Sequence, residues 1–118
     1  MTHSMTMSEN NILHAAILGE ITEEVASAML QDAKEFLDEA TEPVSVLVDT
    51  RKAGKISSSA RRIFADLGRD PRGRKIAVLG LDRYQRVMAS FINRATGRDN
   101  IRFFDSEEQA LVWLVDEG

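Results

Sequence analysis

The chain has 118 residues, 43% of them hydrophobic and 29% charged, which is the composition of an ordinary globular domain able to bury its own core. It contains no cysteine, and this excludes disulfides, thiolate metal sites and cysteine nucleophiles. With only two histidines, His3 and His14, it lacks the ligands for a zinc site, so we predict no metal and no cofactor.

The net charge of −4 is unevenly distributed. Residues 1–50 carry one cation and ten acids, residues 51–102 carry fourteen cations and four acids, and residues 103–118 carry five acids and no cation. The basic middle could pair with the acidic flanks, within the domain or between the copies of a homodimer, or it could bind an anionic partner. Pairing is favoured over nucleic-acid binding, because nucleic-acid-binding domains are usually basic overall.

The first ten residues are polar and lack the cationic start and apolar run of a signal peptide. We expect residues 1–10 to be a disordered leader before a single domain over residues 11–118. No segment has the roughly 20 apolar residues of a membrane span, so a cytoplasmic location is expected.

Four apolar runs are predicted strands. The two central runs are rich in valine, leucine and isoleucine on both faces, which is typical of parallel strands covered by helices on both sides. The four runs are residues 12–18, 44–49, 75–80 and 101–104.

Helical patterns follow each of these strands. Thr22 is a plausible N-cap of the first helix, and the second helix is expected to stop at Gly68. A third helix is predicted from residue 82 to residue 96, and Ser106 opens a capping box for the last. With right-handed crossovers, the order β-α-β-α-β-α-β-α predicts an α/β domain with a four-stranded, mostly parallel sheet covered by helices.

Residues 48–62 combine a strand end with five cations, a glycine and three consecutive serines. A phosphate-binding P-loop is excluded, because Asp49 and Ile56 occupy the places of its first glycine and its magnesium-binding hydroxyl. We expect the chain to turn at Gly54 and either Ser57 or Ser58 to cap the next helix. The candidate residues for binding a partner or an anion are Asp49, Arg51, Lys52, Lys55, Ser57, Arg61 and Arg62.

No catalytic constellation is recognisable. The serines lack a neighbouring base, and His14 lies in an apolar run where a partly buried strand position is expected. Asp49 and Asp82 could share the carboxyl edge of the sheet, but both also fit capping roles and two carboxylates alone define no reaction. The chain is therefore predicted not to be an enzyme, and a hydrolase using these two aspartates is the minor alternative.

In order along the chain, several segments resemble a STAS domain, the fold of bacterial anti-sigma-factor antagonists and of sulphate-transporter tails. The resemblance rests on four segments: Leu-Gly-Glu-Ile-Thr at 18–22, Val-Leu-Val-Asp at 46–49, Lys-Ile-Ala-Val-Leu-Gly at 75–80 and the ending from Ile101 to Leu114. The resemblance implies a non-catalytic regulatory module that docks another protein, possible partners being a kinase or a sigma-regulatory factor.

In the antagonists, a partner kinase phosphorylates the serine of an Asp-x-Ser-Gly motif at the start of the second helix. Counted from Asp49, the motif falls on Ser57, Ser58, Ser59 and Ala60, so only the serine matches. The resemblance therefore implies Ser59, with Ser58 beside it, as candidate phosphoacceptor of a serine-phosphorylated switch.

Within this fold the chain most resembles the small STAS-like bacterial proteins that are grouped near the CRAL-TRIO lipid-transfer fold. This similarity implies an alternative function, the binding of a small apolar or lipid-like ligand. The candidate pocket residues lie on the predicted third helix: Tyr84, Met88, Phe91 and Ile92.

Overall fold

The computed structural model describes residues 3–8, 10–80 and 100–116. These residues form a five-stranded sheet and three helices. In chain order the elements are β1 (His3–Met7), β2 (Ile12–Ile21), α1 (Glu23–Glu39), β3 (Val44–Ile56), α2 (Ser58–Arg69), β4 (Gly73–Leu79), β5 (Ile101–Phe104) and α3 (Glu107–Val115).

The strands lie in the order β1-β2-β3-β4-β5, with β1 antiparallel to β2 and the other neighbours parallel. The mostly parallel α/β sheet is confirmed, but the predicted count of four strands is wrong. Residues 3–7 of the leader, predicted to be disordered, form the additional strand β1. Met5 and Met7 alternate with polar residues and pack on the core, which gives this short edge strand its buried side.

Helices cover both faces of the sheet, as predicted. α1 and α2 pack on one face, which we call the front face, against residues such as Leu13, Val46 and Val48. α3 packs on the other, the back face, where Ala110 and Leu114 contact Leu47, Ala77 and neighbouring residues. Because the strand order never reverses, the described sheet has no topological switch point of the kind that forms a ligand crevice in doubly wound folds.

The helix starts follow the sequence closely. Thr22 caps α1 by accepting a hydrogen bond from the Val25 N–H at 3.3 Å, and Ser106 caps α3 by accepting one from Gln109 at 3.4 Å. α3 has no basic residue in its last turn, so strand β4 supplies the cations that its C-terminal carbonyls favour. Lys75 Nζ donates to the Trp113 carbonyl at 2.9 Å.

The predicted end of the second helix at Gly68 is wrong, because α2 continues to Arg69. Asp70 is the C-cap residue, with an extended ψ of 120°. It precedes Pro71, and the residue before a proline disfavours the helical region. The proline therefore sets the end of α2.

The predicted helix over residues 82–96 lies outside the described residues, as do Asp82 and the candidate pocket residues Tyr84, Met88, Phe91 and Ile92. Among the helices of residues 3–8, 10–80 and 100–116, none is long and apolar enough to span a membrane.

Candidate functional site

Strand β3 extends well beyond its neighbour β4. Its pairing with β4 ends at Asp49 opposite Leu79, whereas its pairing with β2 continues to Ile56 opposite Ile21. Residues 50–56 of β3 and residues 18–21 of β2 therefore form a two-stranded extension, which we call the β2–β3 ribbon. The predicted turn at Gly54 is wrong, because this glycine lies within the strand.

Two register shifts explain why the ribbon does not have a simple alternating pattern. They fall between Ala16 and Leu18 and between Gly19 and Ile21, where β3 contains an extra residue each time. Ala53 and Ile56 pack on the front-face core, whereas Lys52 and Lys55 are exposed. The shifts thus aim the cations outward while the ribbon remains attached to the core.

The base of the ribbon is held by the pair Asp49 and Arg51. The Asp49 carboxylate accepts hydrogen bonds from the Arg51 backbone N–H at 3.0 Å, from Nε at 2.9 Å and from Nη2 at 2.7 Å. These hydrogen bonds lower the pKa of Asp49 below its ordinary value. A carboxylate kept ionised by a bidentate arginine is a poor proton shuttle, so the geometry does not favour Asp49 as a hydrolytic base.

Gly80 fits tightly under this base. Its φ is +79°, and a Cβ built there would lie 2.3 Å from Arg51 Cγ and 2.8 Å from Arg51 Cα. Thr50 adds a further link, since its hydroxyl donates to the Leu79 carbonyl at 2.6 Å. The end of β4 is therefore packed directly against the point where the ribbon leaves the sheet.

The ribbon leads into the three serines at the start of α2. Ser57 is the N-cap residue, as predicted, and its hydroxyl accepts a hydrogen bond from Ala60 N–H at 3.1 Å. Ser58 is exposed and accepts a hydrogen bond from Arg61 Nη2 at 3.0 Å. Ser59 is half-buried.

The seven residues predicted to bind a partner or an anion form three adjoining groups. Asp49 and Arg51 lie at the base of the ribbon, Lys52 and Lys55 lie on it, and the others lie at the start of α2. Arg62 is exposed and Arg61 half-buried. In the described part of the chain, no group of three acidic or histidine side chains could hold a metal ion.

A cavity of about 110 Å³ lies between the front face and helices α1 and α2. Its described walls are apolar except for Thr50, whose hydroxyl is already bonded to the Leu79 carbonyl. Its described lining includes Ala15, Met29, Ala33, Val48, Phe64 and Phe103. Sequence reasoning did not assign these residues to a pocket, and the pocket residues that it did predict lie outside the described part of the chain.

Comparison with known proteins agrees with this fold. A family model described as SpoIIAA-like matches residues 12–115. Among solved structures, an uncharacterized protein with a SpoIIAA-like fold from Shewanella loihica is 22% identical, with a TM-score of 0.71 over 95% of this chain and 91% of that one. None of the curated protein sequences compared matches the chain.

The anti-sigma factor antagonist SpoIIAA is more distant in sequence but similar in fold. Its unphosphorylated form is 13% identical, with a TM-score of 0.68 over 93% of this chain and 94% of that one. The phosphorylated form of SpoIIAA from Bacillus is 14% identical, with a TM-score of 0.66 over 94% and 97%. Since the family model spans most of the chain and the folds agree, the STAS-like resemblance is confirmed and the chain belongs to the SpoIIAA-like family.

Proposed function

We propose that this STAS-type regulatory module is non-catalytic and docks another protein through the β2–β3 ribbon and the start of α2. The observation that carries the proposal is the outward position of the ribbon cations. Lys52 and Lys55 are exposed on a segment that continues past the end of β4 and leads into the N-terminus of α2. This surface suits a partner segment with acidic residues, because both the cations and the helix N-terminus favour negative charge.

The rigidity of the base supports docking more than catalysis. The Asp49 carboxylate is hydrogen-bonded to Arg51. Gly80 packs against Arg51, and the Thr50 hydroxyl bonds to the Leu79 carbonyl, so the end of β4 is fixed beneath the ribbon. A rigid surface loses little conformational entropy when a partner binds. A kinase or a sigma-regulatory factor remains the partner implied by the STAS-like resemblance, and the cytoplasmic location remains a prediction.

The test is quantitative capture of partners from native lysate with the wild-type chain and two charge-reversal variants. Lys55→Glu alters the ribbon, whereas Lys34→Glu makes the same change at an exposed position of α1. We expect a specific partner that Lys55→Glu loses and Lys34→Glu retains. The proposal fails if no specific partner is captured, or if the partner binds both variants equally.

A serine-phosphorylated switch is an alternative form of the same proposal. A phosphate on Ser58 or Ser59 would lie at the N-terminus of α2, and Arg61 already reaches the Ser58 hydroxyl. Phosphosite mapping of protein purified from its own cells tests it, with the Ser58→Ala and Ser59→Ala variants as references. Phosphate on either serine supports the switch, and unmodified protein under all growth conditions contradicts it.

The front-face cavity favours a second candidate function, binding of a small apolar ligand. Because the hydroxyl of Thr50 is already used, the described walls offer no free polar group for a charged headgroup. The ligand, or the part of it that enters, would therefore be wholly apolar. Benzene titration followed by methyl NMR should shift cavity signals, and Ala33→Leu, which fills the cavity, should abolish the shifts. Unshifted signals in the wild-type chain would remove this candidate.

A further inference from the structure

The two faces of the sheet are covered unequally. α1 and α2 cover the front face, whereas among the described residues only the nine-residue α3 packs on the back face. The cluster beneath α3 contains Ile12, Leu47, Ala77 and Leu79, which belong to β2, β3 and β4. The β1–β2 side of the back face lies beside this cluster, and we call it the open half.

The side chains of the open half follow from strand alternation. Ile12 faces the back, so His14, Ala16 and Leu18 point the same way along β2. Opposite them, Thr6 pairs with His14 and Ser4 pairs with Ala16, and both β1 residues are exposed. Leu18 is 47% exposed. The open half is therefore lined by one histidine and by small residues, and it is bordered by one exposed leucine.

α3 has an apolar outer surface beside the open half. Val112 is 64% exposed and Val115 is 52% exposed. Trp113 is held on the β5 side of α3 by Phe104, with ring centroids 5.6 Å apart. Val115 lies on the opposite flank, because it follows Trp113 by two residues and two residues correspond to a turn of about 200° around the helix axis. That flank faces the open half.

The exposed hydrophobic residues and the charges on the back face are complementary. Within the described chain, the only exposed large hydrophobic residues are Leu18, Val112 and Val115, and all three lie on this face or on α3. α3 carries two exposed acids and no base, and one of them, Glu107, lies 3.8 Å from Arg51 of the same chain. The other acid is Glu108, and the ribbon next to Leu18 carries Lys52, its cross-strand partner. Each copy therefore carries two complementary surfaces. The first has exposed valines beside an acid on α3, and the second has an exposed leucine beside a lysine on the ribbon.

We infer that the back face binds a second copy of this chain, with α3 of each copy lying on the open half of the other. Because of the two-fold axis, each contact between the copies forms twice. Val112 and Val115 of one copy contact Leu18 of the other, and Glu108 of one copy lies near Lys52 of the other. The molecule measures 32 × 27 × 26 Å, so one face is large enough for the roughly 800 Å² per partner of a standard interface. This surface shares Leu18 and Lys52 with the β2–β3 ribbon, whereas Lys55 and Ser57 of the proposed docking site lie outside it.

Sedimentation velocity of the full chain from about 1 µM to about 1 mM tests the inference. We expect a monomer–dimer equilibrium that Leu18→Glu and Val112→Glu each weaken by at least about tenfold. Gln31→Glu places the same side chain on the exposed side of α1 and should leave the equilibrium unchanged. Thermal unfolding of each variant checks that a loss of dimer is not a loss of fold.

A charge exchange identifies the contact itself. Glu108→Lys and Lys52→Glu should each weaken the dimer, and the double variant should restore it to near the wild-type affinity. The inference is overturned if the wild-type chain is a monomer throughout this concentration range. It is also overturned if the dimer is insensitive to Leu18→Glu and Val112→Glu, or if the double variant is no better than the single ones. Lys55→Glu leaves this contact intact, so the proposed partner docking can fail independently.

Discussion

The two halves of strand β3 differ sharply, although they belong to one continuous strand. Residues 44–49 lie between β2 and β4, and their first four side chains are buried. Residues 50–56 pair with β2 alone in the described sheet and are mostly exposed. The difference arises because β4 ends at Leu79 while β3 continues. The first half is part of the core of the domain, and the second carries the surface that we propose for partner recognition.

The largest expected effect comes from removing a side chain in the first half. Leu47 is 2% exposed and packs under α3 on the back face. Leu47→Ala should lower the free energy of unfolding by about 2–5 kcal/mol, through lost burial and the cavity left behind. Lys55→Ala in the second half should change it by less than about 0.5 kcal/mol. Urea unfolding measures both, and equal losses would contradict the division of β3 into these two roles.

The junction between the halves is tested with two glycines that share a positive φ. At Gly80, alanine would meet both the strain of φ +79° and the Arg51 backbone, so about 2–4 kcal/mol should be lost. At Gly19, φ is +75° but nothing lies within 4 Å of the added Cβ. Gly19→Ala should therefore lower the free energy of unfolding only by the backbone strain of a positive φ, about 1–2 kcal/mol. If thermal and urea unfolding give the two variants the same stability, Arg51 does not pack on Gly80.

The serines at the end of the second half are expected to differ in a smaller way. Ser57→Ala removes the hydroxyl that caps α2 and should cost about 1 kcal/mol of unfolding free energy. Ser58→Ala removes only an exposed contact with Arg61 and should cost a few tenths of a kcal/mol. The reverse order in urea unfolding would show that Ser57 is not the cap.

The smallest expected effect is the pH dependence of the Asp49–Arg51 pair. Because the pKa of Asp49 is lowered in the folded state, its contribution is fully present above the ordinary value of 3.8 and is lost as the pH falls through the folded pKa. Arg51 is 52% exposed on its side chain, so solvent screening keeps this contribution to stability small.

Asp49→Asn should accordingly be less stable than the wild-type chain at pH 6, and the difference should shrink as the pH falls below 3.8 and disappear below the lowered pKa of Asp49. Arg51→Ala removes the cause of the shift and should show the same pH dependence. Urea midpoints measured across this range decide the matter, and a difference that persists in acid would assign the effect to packing.

Sequence reasoning located the first half of β3 well and the second half poorly. Residues 44–49 are apolar on both faces, which is a strong strand signal. Residues 50–56 contain arginine, lysines and a glycine, which are weak strand formers, and two register shifts hide the alternation. Strand β1 was missed for a related reason, since Met5 and Met7 give only a short period-two pattern in a polar leader.

The candidate site was predictable only where local rules act. The Ser57 cap follows from a hydroxyl before an apolar helical pattern. The bidentate contact of Arg51 with Asp49 depends on the shape of the strand at the first register shift, which no residue type signals. The front-face cavity depends on how α1 and α2 lie over the sheet, so spacing along the chain could not indicate it.

The central claim is that the second half of β3 and the start of α2 contact a partner protein. Site-specific photo-crosslinking in living cells tests it most directly, with the reactive group placed at position 55 or 62 and, as the control, at exposed position 34 of α1. We predict one discrete adduct of the same mass increment at positions 55 and 62 and none at position 34. Adducts at position 34 alone, or at none of the three positions, would contradict the account.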